Sequence, residues 1–437
     1  MLFSMIKLFD YQQEQVNEYL KNGKNINLSE VGTGKTFVGL ESFKQSKYTK
    51  LLVICLAPKV KDFASDGEKV GLEITPLNKG TKKNKLLLNE AENIAISFES
   101  SWRLIELLKW VDKDTFILID ESHKVKSRSS KVTKFAEKLS KKAGSVYLMT
   151  ATPIGNGKYE EWFEQLKIAK VLTKDTWKAF KEQYLITEYQ DLYVGGMRRE
   201  IEQIVGYKNL EHLDESLNNR AVFKKRDIHD SLIPEDVFYY VNKPTMYNKL
   251  RKERVVVYND VKTEFDTTSK MYHALKQLSS GVLKEVDKPL KKEKLDYLEL
   301  VLNENENNRV TVFYNYTSEL NAIIQLMDKL KRPYSMYNGN SHDLTAFNNN
   351  EDGVALVQYK SGSTGVNDFV ISHICVFYSM PDGSTTYIQA KGRLNRTGQT
   401  SKPLFYHLIC KGSVEEKVYS MIEQGVDITD DIMQKLI

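Results

Sequence analysis

The stretch Leu28-Ser29-Glu30-Val31-Gly32-Thr33-Gly34-Lys35-Thr36 decides the reading of the whole chain. Ile26 and Leu28 read as the end of a buried strand, Gly32 and Gly34 let the backbone turn tightly, and Phe37, Val38 and Leu40 open a helical pattern. Strand, glycine turn and helix start, in that order, point backbone N–H groups at an anion. In such a loop Lys35 reaches the β- and γ-phosphates of a nucleotide as a point charge, the Thr36 hydroxyl holds Mg²⁺, and Gly32, Thr33 and Gly34 give the close backbone approach. Ser29 stands where the full G-x-x-x-x-G-K-[ST] pattern has its first glycine. A plain strand, turn and helix with a solvated lysine is the competing reading.

Outward from the loop the chain alternates between strand and helix patterns. Upstream, Ile6, Phe9, Val16, Tyr19 and Leu20 recur at mostly helical intervals, and Asp10 can cap that helix. Gln12 on it carries a donor and an acceptor suited to an adenine edge, although a glutamine on a helix is more often solvated. Downstream, the apolar runs 51–57, 93–98, 115–119 and 145–149 read as buried strands of a parallel sheet with helices between them. The third run ends in Asp120-Glu121-Ser122-His123. Acidic side chains at the carboxyl end of such a strand lie where ligands bind: Asp120 can hold Mg²⁺ through water, and Glu121 can orient and deprotonate an attacking water. A polar turn capping the next helix is the alternative. The fourth run leads into Thr150-Ala151-Thr152-Pro153, placed to sense the phosphate end of the site.

With 437 residues the chain is too long for one ordinary core, so two to three domains are expected. Hydrophobic and charged contents of 41% and 28% fit a soluble globular protein, and no apolar run reaches the roughly 18 residues of a membrane span. The apolar start M-L-F-S-M-I-K-L-F lacks a basic n-region and a cleavage site, so a cytoplasmic protein without membrane association is expected. Cys55, Cys375 and Cys410 lie far apart in strand-like runs, which reads as reduced core cysteines with neither a disulfide framework nor metal-ligand spacing. A net charge of +5 permits a polyanion partner without requiring one.

The second half repeats the alternation. Residues 1–157 read as a first lobe, 158–288 as a mainly helical insertion and inter-lobe segment, and 289–437 as a second lobe with strands at 310–314, 354–358, 373–377 and 404–409. Within the insertion, Asp191 to Met197 reads as a hairpin with Gly-Gly at its turn. Lys224, Lys225 and Arg226 form a basic cluster that is either solvated or set against a nucleic-acid backbone. In the second lobe, Ser361 to Asn367 is a polar loop suited to close approach by a phosphate. In Tyr387 to Gln399, Gln389, Arg393 and Arg396 are spaced by four and three residues, which on a helix puts them on one face. Arginines so placed can stabilise charge on a γ-phosphate, as arginine fingers do; a basic solvated face is the bland alternative.

Read together, S-E-V-G-T-G-K-T, D-E-S-H-K-V-K-S and T-A-T-P-I-G-N-G-K-Y-E-E-W-F resemble the first three motifs of superfamily-two helicase-like ATPases, and Q-A-K-G-R-L-N-R-T-G-Q resembles the sixth. The surrounding sequence, with a basic continuation from Lys124 to Lys131 and N-x-x-x-E-x-W from Asn156 to Trp162, is most similar to the Swi/Snf branch. The fifth motif, S-G-S-T-G-V-N-D, departs from the family's richer Gly and Ala content. The resemblance implies an α/β protein with two tandem RecA-like parallel-sheet lobes, hydrolysing ATP with Mg²⁺. It further implies that Gln12 reads adenine, that Lys35, Glu121, Arg393 and Arg396 are catalytic, and that Asp120, Thr36 and Gln389 join the nucleotide and metal site. Candidate nucleic-acid contacts are Pro58, Lys59, Ser97, Lys126, Thr317 and Ser363. The implied partner is double-stranded DNA, tracked without strand separation. A strand-separating DNA or RNA helicase, a non-hydrolysing ATP clamp, and a subunit served by a separate nuclease or targeting protein are the rivals.

Overall fold

Two apolar strand sets, each buried on both faces, carry the architecture. The computed structural model describes residues 6–155, 157–172, 176–194, 197–225, 232–286, 289–359, 368–396 and 398–437. The chain divides into two compact units, residues 1–226 and 227–437.

In the first unit the strands are β1 (Ile26–Asn27), β2 (Lys50–Cys55), β3 (Thr75–Leu77), β4 (Asn93–Ser97), β5 (Thr115–Asp120), β6 (Ser145–Met149), β7 (Leu185–Val194), β8 (Met197–Tyr207) and β9 (Ala221–Val222). Seven of them form one sheet in the order β3-β4-β2-β5-β6-β1-β9, with every pairing parallel. Runs such as Thr-Phe-Ile-Leu-Ile-Asp in β5 are buried at every position, as strands covered on both faces require. Alternate residues serve opposite faces: Leu52, Ile54, Ile117 and Ile119 pack with Trp162 and Phe163, while Leu51, Val53, Phe116 and Leu118 pack with Val38, Leu40 and Phe63. β7 and β8 pair only with each other, antiparallel.

In the second unit the strands are β10 (Glu235–Val241), β11 (Val255–Tyr258), β12 (Val261–Glu264), β13 (Val310–Tyr314), β14 (Tyr334–Tyr337), β15 (His342–Asp343), β16 (Val354–Gln358), β17 (Ile374–Phe377) and β18 (Leu404–Cys410). Their sheet has the order β10-β18-β17-β13-β16-β14-β15, parallel except for the β14–β15 pair. Phe313, Val357 and Phe377 face one core with Tyr272 and Leu275; Val312, Leu356 and Val376 face the other with Leu298 and Ile323.

The expected pair of parallel-sheet α/β lobes is therefore present, but residues 158–288 do not form a body of their own. Helices Trp162–Ile168, Trp177–Tyr184 and Leu210–Asn218 pack on the first core, and β9 joins the first sheet beside β1. β10 joins the second sheet along seven residues of β18, and helix Thr268–Ser279 packs on the second core. Six strands, β7 to β12, also fall in this supposedly helical stretch. The two residues of β9 are too few to show a period, and β10 alternates weakly because it is an edge strand with half-exposed positions. The expected hairpin at 191–197 falls where a longer antiparallel pair, Leu185–Val194 with Met197–Tyr207, has its last pairing, and its Gly195-Gly196 turn lies outside the described residues. Cys55, Cys375 and Cys410 are free and buried, and no helix among the described residues is long and apolar enough to cross a membrane.

Candidate nucleotide site and arginine helix

Strand order brings three separate motifs to one edge. Asn27 at the end of β1 pairs with Met149 at the end of β6, and Met149 pairs with Asp120 at the end of β5. The glycine loop, Asp120-Glu121 and Thr150-Ala151-Thr152 thus leave three adjacent strands at their carboxyl ends, where open α/β sheets bind ligands.

The loop is built by its glycines and braced from both sides. Gly32 and Gly34 take left-handed φ values of 84° and 75°, and Gly34 caps helix Lys35–Lys44. Lys35 curls back so that Nζ donates to the carbonyls of Ser29 (2.7 Å) and Glu30 (2.9 Å). Burial lowers its pKa to about 8, against the attraction of Glu121 and Asp120. Ser29, in place of the first glycine of the common pattern, is fully buried. Its hydroxyl accepts from Gln15 Nε2 (3.0 Å) and from the Lys224 N–H (3.1 Å), tying the loop to the first helix and to the exit of β9. A glycine there would forfeit both bonds.

Gln12 is buried, and its amide is engaged within the protein: Nε2 donates to Thr33 O (3.0 Å) and Oε1 accepts from Phe9 N (3.0 Å). Tyr11 OH donates to the same Thr33 carbonyl (2.9 Å). Gln12 therefore braces the loop backbone in this state. Lys224 lies at the flank of the loop, its ammonium 5.4 Å from the Tyr11 ring centroid. The basic cluster, read from sequence as either solvated or set against a nucleic-acid backbone, thus begins at the nucleotide edge; only the pairing of β9 with β1 reveals this, and Arg226 lies outside the described residues.

Glu121 adopts φ 57°, ψ 56°, a left-handed conformation that costs a non-glycine residue about 1–2 kcal/mol and is found preferentially at functional sites. Its Oε2 lies 3.3 Å from His123 Nδ1 and accepts from Thr150 Oγ1 at 3.5 Å, while Thr150 Oγ1 accepts from Thr152 N at 3.1 Å. The acidic pair and the threonine motif are thus wired together directly. Burial opposes ionisation of Glu121, but His123, Lys59 and Lys35 together hold its carboxyl down to about 2. Asp120 is buried and ion-paired with Lys59 at 3.3 Å. Behind this edge, buried Gln165 accepts from Ser122 Oγ (2.7 Å) and donates to Pro153 O (2.6 Å), and Glu161 accepts from Gly155 N (2.7 Å).

The donors suit a nucleotide with Mg²⁺. A part-buried ammonium held by carbonyl oxygens, with no ion pair among the described residues, invites an anion. No group of three or more His, Cys, Asp or Glu poised for a metal occurs among the described residues. Mg²⁺ at phosphate sites uses only one or two protein ligands beside water and phosphate oxygens, which Thr36 and Asp120 can supply.

In the second unit, helix Ser384–Leu394 carries Gln389 and Arg393, both buried and one turn apart. Arg396 does not continue their face. The helix ends at Leu394, and Arg396 lies in the following turn, its N–H donating to Leu394 O (3.1 Å). The helix is moored from the side: Lys391 Nζ pairs with Asp236 on β10 (2.6 Å), and His407 Nε2 donates to the same carboxylate (2.7 Å). Burial opposes the Asp236 charge, yet His407 and Lys391 hold its pKa low. Neither Asp236 nor His407 was a candidate site residue in the sequence; the register of β10 on β18 brings them together.

The six candidate nucleic-acid positions have varied surroundings. Pro58 is exposed, but adjacent Lys59 turns to Asp120. Ser97 caps a short helix by accepting from Ser100 N (3.1 Å), and Lys126 pairs with Glu161 (2.8 Å). Thr317 opens helix Thr317–Leu330 and lines a cleft of about 530 Å³ with Gln277 and Ser318. Ser363, with the whole loop Ser361 to Asn367, lies outside the described residues.

Comparison with known families and proteins bears on this geometry. Residues 30–285 match the SNF2-related domain, and residues 291–398 match the helicase conserved C-terminal domain. The human DNA annealing helicase and endonuclease ZRANB3 is 22% identical over 97% of this chain, and the uncharacterized ATP-dependent helicase MG018 of Mycoplasma genitalium is 22% identical over 91%. These alignments cover 40% and 39% of the relatives, so the chain spans about two-fifths of their length. Among solved structures, the Sulfolobus solfataricus SWI2/SNF2 ATPase core in complex with dsDNA aligns over 100% of this chain and 94% of its own, with 18% identity and a TM-score of 0.46. With more than half of its residues matched by the SNF2-related domain and the helicase C-terminal domain following in order, the chain belongs to the Swi/Snf-like branch of the superfamily-two helicase-like ATPases.

Proposed function

We propose that the protein hydrolyses ATP at the carboxyl edge of its first sheet and uses the cycle to translocate along duplex DNA. One observation carries the ATPase reading: Lys35, Asp120 and the Glu121–His123–Thr150 group converge on one edge from three strands. Lys35 would turn from the Ser29 and Glu30 carbonyls to the phosphates, and Thr36 and Asp120 would hold Mg²⁺. The metal, when bound, would neutralise charge on the phosphates and leaving group. At a pKa near 2 Glu121 is a weak base, better at orienting water than at taking its proton. When Lys35 swings to a bound triphosphate, Glu121 would lose a stabilising cation and gain anionic neighbours, both of which raise its pKa towards that of a working base. Arg393 and Arg396 would add positive charge in the transition state.

The duplex reading rests on the family and on relatives named for DNA work. A motor that holds backbone phosphates can advance with base pairs intact, and its affinity falls as salt rises. A strand-separating helicase is the second reading, favoured by the β7–β8 ribbon, which exposes Ile186, Tyr189, Ile201, Ile204 and Val205 where a wedge would need apolar side chains. Two substrates separate them: a third strand annealed in the major groove of a duplex, and a fork of equal length. ATP-dependent removal of the third strand with little fork unwinding supports the translocase. Efficient fork unwinding without third-strand removal overturns it in favour of the ribbon as wedge.

A further inference from the structure

The first unit has a cleft of about 520 Å³ at the end of the sheet away from the nucleotide loop. Asn25, Ser145 and Arg220 line it, and they precede β1, open β6 and precede β9. The glycine loop leaves the opposite end of β1. The five residues of β6 separate the two edges by roughly 17 Å at about 3.3 Å per residue. Ligands of open parallel sheets gather at the carboxyl edge, so this cleft does not belong to the site described above.

Its charge is one-sided. Lys47, Lys170 and Arg220 line it and, among the described residues, no carboxylate does. Arg220 donates to Gly23 O (3.2 Å), Lys170 to Ala143 O, and Lys47 lies 5.7 Å from the Tyr48 ring centroid. None of the three forms an ion pair with a described residue.

Lys170 is the telling member. Helix Trp162–Ile168 ends with Lys170 N donating to Lys167 O (3.1 Å) and Val171 N to Leu166 O (2.9 Å), the double bond pattern that normally places glycine at this point. Lys170 occupies it at φ 60°, a left-handed conformation that strains a side-chain-bearing residue and that glycine would adopt freely. Burial also lowers its pKa, so its charge would be eased by an anion. On the cleft wall, Asn25 Nδ2 donates to Val146 O and Ala169 O, both at 2.8 Å, so its amide hydrogens serve the protein and the cations face the cleft as candidate phosphate donors.

We propose that this cleft is a second phosphate-binding site, holding one phosphate group on Lys47, Lys170 and Arg220. The phosphate would come from a bound polynucleotide, which rests on the DNA reading above, or from a free phosphomonoester, which does not.

The test is the double variant Lys47→Gln/Lys170→Gly, in which the glycine relieves the backbone; its melting temperature and DNA-free ATP hydrolysis should match or exceed wild type. Duplex-DNA affinity is measured over a salt series. Loss of this one phosphate contact lowers the slope of log affinity against log salt by about 0.9. A second arm titrates ribose 5-phosphate by calorimetry in a Lys35→Ala background, with and without the double change. A reduced slope assigns the cleft to the polynucleotide; an unchanged slope with lost ribose 5-phosphate binding assigns it to a free phosphomonoester. Unchanged behaviour in both arms by the folded variant overturns the proposal. A wild-type protein that binds no DNA sinks the duplex reading, while the ribose 5-phosphate arm still decides the cleft.

Discussion

Lys35 can be interrogated by pH. Its folded pKa of about 8, drawn down from 10.5 by burial against the loop carbonyls, means that holding the ammonium charged there costs about 3 kcal/mol relative to water, at ~1.4 kcal/mol per pKa unit. Below pH 8 the folded and unfolded chains both keep the proton, and this group gives no pH dependence. Between about 8 and 10.5 the unfolded chain holds the proton and the folded chain releases it, so rising pH stabilises the nucleotide-free protein. The gain, up to about 3 kcal/mol, is complete only above 10.5. Bound triphosphate reverses the balance, because its oxygens favour the charged ammonium. ATP binding at pH 9 should therefore take up about 0.8 proton, and at pH 7 about 0.1, with affinity falling by up to about tenfold per pH unit above 8. Calorimetry of ATP binding in buffers of different ionisation enthalpy reads the uptake directly. Lys35→Met should abolish the uptake at pH 9, weaken binding and stop turnover while leaving the fold intact. Equal proton uptake by wild type and Lys35→Met, or none by wild type, would show that Lys35 does not meet the phosphates.

Glu121→Gln and Arg396→Ala should still bind a fluorescent ATP analogue yet lose turnover, Arg396→Ala by roughly 10³–10⁵ if it acts as an arginine finger. Retention of more than about a tenth of wild-type turnover by Arg396→Ala would exclude that role. Gly34→Ala should weaken nucleotide binding, because Gly34 has φ 75° and a Cβ there would sit 2.3 Å from Gln12 Nε2. The strained φ costs about 1–2 kcal/mol and the lost Gln12–Thr33 bond about 1 more. Adding Gln12→Ala should remove the clash, so the pair should be non-additive by about 1 kcal/mol in a double-mutant cycle; strict additivity would mean that Gln12 does not brace the loop.

Much of this protein is local in origin and therefore legible in its sequence. The runs at Ser145–Met149, Val310–Tyr314 and Val354–Gln358 are strands over the expected residues, because a buried strand needs only a short unbroken apolar segment to close its ladder and its two cores. The glycine loop and the acidic strand end are equally local, since each needs a particular backbone conformation within a few residues. What the tertiary structure decided is adjacency. The order β5-β6-β1 unites loop, acid and threonine motifs that are spread over more than a hundred residues, and no short window of sequence contains that pairing. The same holds for β9, which carries Lys224 to the loop and gives Ser29 its second bond, and for β10, which moors Lys391 through Asp236. Arg396 shows the converse: its spacing from Arg393 fits a helix face, but the helix stops at Leu394. Periodicity records which side of an element is buried, whereas the partner that buries it, and the charge that partner brings, is settled only when distant segments pair.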